Sequence, residues 1–243
     1  MKRFLYIVLV VAIFNACESE TRMASIEMFP EVDAYVGNTI VLEVSHSPAN
    51  ALVPAYHFKT NDQFVASVDE QGMIVCNHVG VCTVIVATAD KRFSSTCIVH
   101  VKPINELFDL PVLDYNASKT AVKLKESDRT IVSETPNMLI YQDHRDSVQQ
   151  VIYLFDETQK LTSAAVKLNA GASSELTVFM DEHYNRFESA DSDGLLTWRG
   201  NTTEVIAKES KDACFVVFNP FSGKSTYTKA VHAIETIRSS GQK

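Results

Sequence analysis

The stretch Val81-Cys82-Thr83-Val84-Ile85-Val86-Ala87-Thr88 is followed, across Ala89-Asp90-Lys91-Arg92, by Thr96-Cys97-Ile98-Val99-His100-Val101. Both runs are rich in β-branched residues, whose stiff side chains suit the pleated surface of a strand. With a period of two, Cys82, Val84 and Val86 share one face, and Cys97, Val99 and Val101 share another. Both faces are expected in a core, so these cysteines read as small buried residues rather than reactive ones. Upstream, Val41, Leu42 and Val44 precede a turn at Ser45–Asn50, and Val65 and Ile74 lie in runs flanked by Asn61-Asp62 and Glu70-Gln71-Gly72. Short strands at this spacing predict an all-β sandwich over residues 25–103.

Particular residues carry a resemblance. Val36-Gly37-Asn38-Thr39, Leu42 and Pro48-Ala49-Asn50-Ala51 resemble the opening of bacterial immunoglobulin-like domains of group 2. The run Val65-Ala66-Ser67-Val68-Asp69-Glu70-Gln71-Gly72-Met73-Ile74 resembles that family's central segment, and Gly80, Cys82, Val84 and Cys97–Val101 fit its last two strands. Phe58 stands where the family usually has Trp. The resemblance implies an Ig-like sandwich, a module of adhesins and multidomain surface proteins that commonly spaces and presents a neighbouring domain; fold alone does not set function.

The N-terminus points to export. Lys2 and Arg3 precede the uncharged run Phe4–Phe14, a positive region followed by a short apolar one, as in a signal peptide. As a helix the run would span roughly 16 Å, short of a hydrocarbon core of about 30 Å. Phe14-Asn15-Ala16-Cys17 resembles a lipobox, which implies cleavage after residue 16 and lipidation of Cys17. Residues 17–24 then form a tether. Its Glu18 and Glu20 resemble surface-export signals of some Gram-negative lipoproteins, which implies an outer-membrane protein facing the cell surface; retention on the periplasmic side is the alternative.

Cleavage would remove Lys2 and Arg3 and take the net charge from −8 to −10 over the remaining 227 of 243 residues. An acidic chain repels phosphate backbones, which argues against nucleic-acid partners. Besides Cys17 there are Cys76, Cys82, Cys97 and Cys214. The envelope permits disulfides, and Cys76 could bridge to Cys82 or Cys97, but four cysteines allow three complete pairings and the sequence does not choose. Their spacing is no zinc signature.

Beyond Lys102-Pro103 the periodicity changes, and residues 110–243 read as a second, α+β domain. Leu176, Phe179, Met180, Tyr184 and Phe187 form a helical stripe over Ser173–Phe187, with Ser173 or Ser174 as cap. Val148–Phe155 and Leu161–Leu168 flank Asp156–Lys160 as a hairpin; Leu195–Trp198 and Thr203–Ala207 flank Gly200-Asn201 as another. Cys214–Phe218 reads as a central strand, and Tyr227, Val231, Ile234 and Ile237 as a terminal helix. Ala117–Ser127 fits either a helix capped by Asn116 or a strand. An antiparallel sheet with helices on one face follows. If Ala117–Ser127 is helical, the order helix-then-strands occurs twice, which is similar to duplicated helix-plus-sheet folds of some envelope binding and inhibitor proteins.

No catalytic, metal or cofactor motif is complete. Gly223-Lys224-Ser225 lacks the earlier Gly of a phosphate loop, because position 218 is Phe218. His144-Arg145-Asp146 copies a kinase tripeptide without its partner motifs and reads as a solvated loop. Asp191-Ser192-Asp193-Gly194 begins like a calcium loop but lacks the closing Glu. Asp146-Ser147-Val148 resembles an O-glycosylation acceptor of some gut Gram-negative bacteria. The expected binding residues are Trp198, Arg199 and Asn201, since an aromatic ring beside polar groups suits a sugar or a partner protein; the alternative is that Trp198 packs under the Ser173–Phe187 helix. The expectation is a non-catalytic lipoprotein held to the membrane by its lipid, binding a glycan or surface protein without a cofactor. A periplasmic assembly or inhibitor protein and a hydrolase with a dispersed site are the alternatives.

Overall fold

The computed structural model describes residues 21–187, 194–221, 223 and 227–240. The expected leader and Cys17, together with Asp191-Ser192-Asp193 and Lys224-Ser225, lie outside them. The described residues are mostly β, built from largely antiparallel sheets with three helices.

The N-terminal part holds nine strands: β1 (Ser25–Glu27), β2 (Glu31–Tyr35), β3 (Thr39–Val41), β4 (Ser45–Ser47), β5 (Tyr56–Thr60), β6 (Ala66–Val68), β7 (Met73–Cys76), β8 (Gly80–Thr88) and β9 (Ser94–Lys102). A four-stranded sheet runs β2-β9-β8-β5, a three-stranded one β3-β7-β6, and β1 pairs with β4. The alternation read from β8 and β9 is realised. Cys82, Val84, Val86, Cys97, Val99 and Val101 are all buried, and five of the six join Ile74 and Cys76 of the other sheet in one cluster. The two strands are neighbours in one sheet, so their inward sides form one surface, not two. Phe58 half-buries its ring in this core. Gly72 makes room for it: its φ is +81°, and a Cβ there would sit 2.8 Å from Phe58 Cζ. Strand β2, unread in the sequence, pairs parallel with β9.

The C-terminal part is one eight-stranded antiparallel sheet with three helices. Helix α1 (Lys119–Lys125) leads into β10 (Thr130–Thr135), β11 (Met138–Gln142), β12 (Val148–Phe155) and β13 (Leu161–Asn169); α2 (Ser173–His183) leads into β14 (Asn185–Phe187), β15 (Leu195–Arg199), β16 (Thr203–Glu209) and β17 (Ala213–Pro220); α3 (Tyr227–Ser240) follows. The strand order is β10-β11-β12-β13-β17-β16-β15-β14. Each helix-plus-meander ends in its fourth strand, and those two strands, β13 and β17, pair at the centre with Val166 opposite Val216. The order helix-then-strands thus occurs twice.

Several expectations are corrected. Ala117–Ser127 is helical in its middle, but the cap is Ser118, whose hydroxyl accepts the Ala121 N–H at 3.2 Å; Asn116 instead takes a φ of +73° in the preceding turn. Helix α2 stops at His183, because Tyr184 turns to extended geometry and Asn185–Phe187 pair as β14. Its cap position is Ala172, with no side-chain cap bond. The helices do not share one face. Helices α1 and α2 bury Val122, Leu176, Phe179 and Met180 against one side of the sheet, while α3 buries Ala230, Ala233, Ile234 and Ile237 against the other. The reason lies in β17: all residues from Ala213 to Asn219 are buried, so both its faces need cover.

Glu182 fastens the parts together at one end of the β8–β9 pair. The Val79 N–H donates to the Glu182 carbonyl at 2.8 Å. The buried Glu182 carboxylate accepts the N–H groups of Ile104 and Asn105 at 2.9 and 3.1 Å, and the Asn105 side-chain amide as well.

Candidate functional site

Trp198 is corrected first. It is fully buried, packed among the α2 side chains, and its indole N–H donates to Asp181 Oδ1 at 2.7 Å. No ring face is open to a ligand. One step along β15, Arg199 projects to the opposite side of the sheet. Its guanidinium lies 3.7 Å from the centroid of the Phe187 ring and 5.0 Å from that of Phe221. Its Nε–H donates to Glu204 Oε1 at 2.8 Å across the β15–β16 pair. Phe187 is 46% exposed and the Arg199 side chain 25%. A guanidinium lying over an exposed ring, with a second ring nearby, offers its remaining N–H groups for a carboxylate or sugar hydroxyls. Asn201 is exposed in the adjoining turn. That turn is pressed against both parts of the chain: a Cβ on Gly200 would sit 2.9 Å from the Tyr184 ring and 3.8 Å from Phe64. Of the three expected binding residues, the structure brings Arg199 and Asn201 to the surface and withdraws Trp198. Phe187 and Phe221 were missed, because Phe187 completed a helical stripe and Phe221 lay beyond the last apolar run.

A second polar cluster lies at the outer end of α1. Arg129 Nε–H donates to Asp143 Oδ2 at 2.7 Å, a terminal amino group binds the Glu126 carboxylate, and another reaches the Asp109 carbonyl at 3.3 Å. The Tyr153 hydroxyl donates to Glu126 and accepts the Val112 N–H at 2.9 Å. Burial and the Glu126 carboxylate hold the Tyr153 phenol well above its ordinary pKa. Burial also raises Asp143, but the Arg145 amide and the Arg129 guanidinium outweigh it and hold the carboxyl below its usual range. Arg145 further binds Asp109 Oδ1 at 2.7 Å. These groups strap residues 106–112 across the sheet, so His144-Arg145-Asp146 is no simple solvated loop. His144 is exposed, whereas Arg145 is a tie. The Ser147 hydroxyl donates to the Leu107 carbonyl at 3.0 Å, part of the same strap.

The four described cysteines are free, buried thiols, with no bridge among Cys76, Cys82 and Cys97. Burial pushes all four up, Cys214 to about 12. Among the described residues no group of three or more His, Cys, Asp or Glu is arranged to hold a metal ion, and no helix is long and apolar enough to cross a membrane. Asp156 accepts the N–H groups of Thr158 and Lys160 at 2.8 and 3.0 Å and shapes the β12–β13 turn.

No family model and no curated protein matches the chain. Among solved structures, domains 5-6 of the S-layer protein SbsC align over 84% of this chain and 86% of that one, at 12% identity and a TM-score of 0.29. Domains 4-9 and domains 1-6 of the same protein each align over 84% of this chain, at 11% identity and a TM-score of 0.30, and cover 28% and 26% of those chains.

Proposed function

We propose that the chain is a non-catalytic envelope lipoprotein. In this reading Cys17 carries the lipid, residues 25–103 form an Ig-like spacer, and the helix-and-sheet domain binds a glycan or protein partner at the cell surface. The observation that carries the reading is the placement of the ends. The N-terminal segment runs in beside Ser47 and Asn50, through Ala24 N–H to the Ser47 carbonyl and Asn50 to Thr21. The second domain is fastened at the opposite end of β8, where Val79 meets Glu182. Eight residue steps separate Gly80 from Thr88, and at about 3.3 Å each they hold the two ends roughly 26 Å apart. A spacer needs this arrangement, with anchor and cargo on opposite ends of the longest strands.

The proposed contact surface is Phe187, Arg199, Asn201 and Phe221. Saturable binding to glycans or matrix proteins, weakened by Arg199→Ala and unaffected by Glu157→Ala on a distant turn, is the expected result; absence of binding across a broad panel refutes the adhesion role. Protease shaving of intact cells, with lysed cells as control, decides the side of the membrane. Digestion on intact cells supports surface display. Protection until lysis favours the periplasmic reading, in which the twice-used helix-then-strands order serves an envelope protein partner.

A further inference from the structure

The end of the N-terminal part farthest from the second domain is formed by residues 21–24, 47–55 and 88–93, and its composition differs from the rest of the chain. Leu52 is 66% exposed and Val53 46%, side by side at the tip of the β4–β5 connection. With Thr21, Arg22, Met23, Pro54, Asp90, Arg92 and Phe93 they line an open cleft of about 500 Å³. Arg22, Lys91 and Arg92 are exposed around it. Asp90 is the single acid in these three segments, within a chain whose net charge is −8, although Glu18 and Glu20 of the tether directly precede Thr21. Asp90 accepts the Thr88 hydroxyl at 2.6 Å and the Arg92 N–H at 3.1 Å, and its other oxygen lies 3.9 Å from the Arg92 guanidinium, whose charge it partly offsets. The Arg92 guanidinium lies 5.4 Å from the centroid of the Phe93 ring, its stem laid along the turn. Two exposed aliphatic side chains share this end with exposed Arg22 and Lys91 and with Arg92, an interfacial surface with an apolar tip and basic residues beside it.

We infer that this end is a foot that seats on an anionic lipid surface, with Leu52 and Val53 entering the headgroup layer and Arg22, Lys91 and Arg92 meeting the phosphates. The inference rests on the proposed lipid at Cys17, which fixes the occupant. Four residue steps separate Cys17 from Thr21, and whatever path they take they reach at most about 14 Å. A lipid anchored at Cys17 therefore holds this end within that distance of the bilayer, at high effective concentration, so a weak contact suffices. The consequence is orientation: the strands of the spacer stand up from the membrane, and the domain fastened at Glu182 is carried outward rather than lying on the surface.

The test uses the full lipidated chain in vesicles of phosphatidylethanolamine and phosphatidylglycerol that carry a headgroup-linked nitroxide. A fluorophore is placed at Val53→Cys or, as control, at Glu157→Cys on the β12–β13 turn; the native thiols are buried and do not compete. The expected result is severalfold stronger quenching at position 53 than at 157. That difference should fall with Arg22→Glu, Lys91→Glu and Arg92→Glu combined. It should also fall with salt, as the screening length contracts from about 10 Å at 0.1 M to about 3 Å at 1 M. Equal quenching at both positions, with the protein still on the vesicles and the mass of the Cys17 peptide showing its lipid, overturns the foot and leaves the anchor standing. An unmodified Cys17 peptide in a protein absent from membranes overturns the anchor and the foot with it.

Discussion

Replacing Arg129 by Met tests whether the polar cluster at the end of α1 is a structural lock. The guanidinium is 8% exposed and joins two carboxylates, Glu126 at 6% and Asp143 at 0%. Met keeps much of the apolar stem and removes the charge. Breaking a buried ion pair by deleting one partner costs about 3–5 kcal/mol, because the other charge is left uncompensated. Here each carboxylate keeps one donor, the Tyr153 hydroxyl on Glu126 and the Arg145 amide on Asp143, so the low end, about 3 kcal/mol, is expected near neutral pH. The pH dependence gives the sharper check. In the native chain the folded Asp143 carboxyl is held below its unfolded value, so its contribution is present at neutral pH and lost as pH falls through the folded pKa. In the variant Asp143 loses the cation that lowers it, while burial still raises it, so acid relieves part of the penalty. The two stability curves therefore converge as pH is taken from neutral to below about 4, the unfolded aspartate range. Urea unfolding followed by circular dichroism at both pH values measures this. A loss under about 1 kcal/mol at neutral pH, or an equal loss at both, would refute the reasoning.

Glu182→Ala leaves the Ile104 and Asn105 amides without their acceptor; a loss of about 2 kcal/mol or more and faster cleavage by a nonspecific protease between residues 103 and 107 are expected, with Glu182→Gln intermediate. Unchanged cleavage in Glu182→Ala would mean that Glu182 does not set the junction. The thiols of Cys76, Cys82, Cys97 and Cys214 should resist a disulfide reagent at about pH 8 in the folded chain and all titrate on unfolding, because burial raises each of them. Two thiols missing after unfolding would reveal a bridge instead.

Much of the β architecture is legible in period two. Val84, Val86, Val99 and Val101 declare an inward face, and the unbroken run Cys214–Phe218 declares a strand covered on both sides. That run also held the information that helices pack on both faces of the sheet, since a strand without a polar side cannot face water. Other features are illegible for identifiable reasons. Tyr184 and Phe187 continue a helical stripe in sequence, yet β15 offers a strand edge, and pairing of Arg186 with Trp198 competes successfully with another helical turn. Strand β2 alternates charge with small apolar residues and gains its place only by parallel pairing with β9, a long-range event without local signature. The aromatic cluster around Arg199 joins residues from β14, β15 and the exit of β17. Trp198 and Arg199 are neighbours in sequence, so only the strand's facing decides which is buried.

The seam between β13 and β17 also imposes an order on how the chain is made. Asn169 pairs with Ala213, and Ala164 with Phe218, so the inner edge of the first meander finds its partner only after α2 and three further strands have been synthesised. Until then β13 presents an open, largely apolar edge, the kind that pairs with whatever strand arrives. A second nascent copy offers the same edge in the same state. The chain must therefore complete its second meander faster than two unfinished molecules meet, and anything that slows translation between residues 170 and 212 lengthens that window.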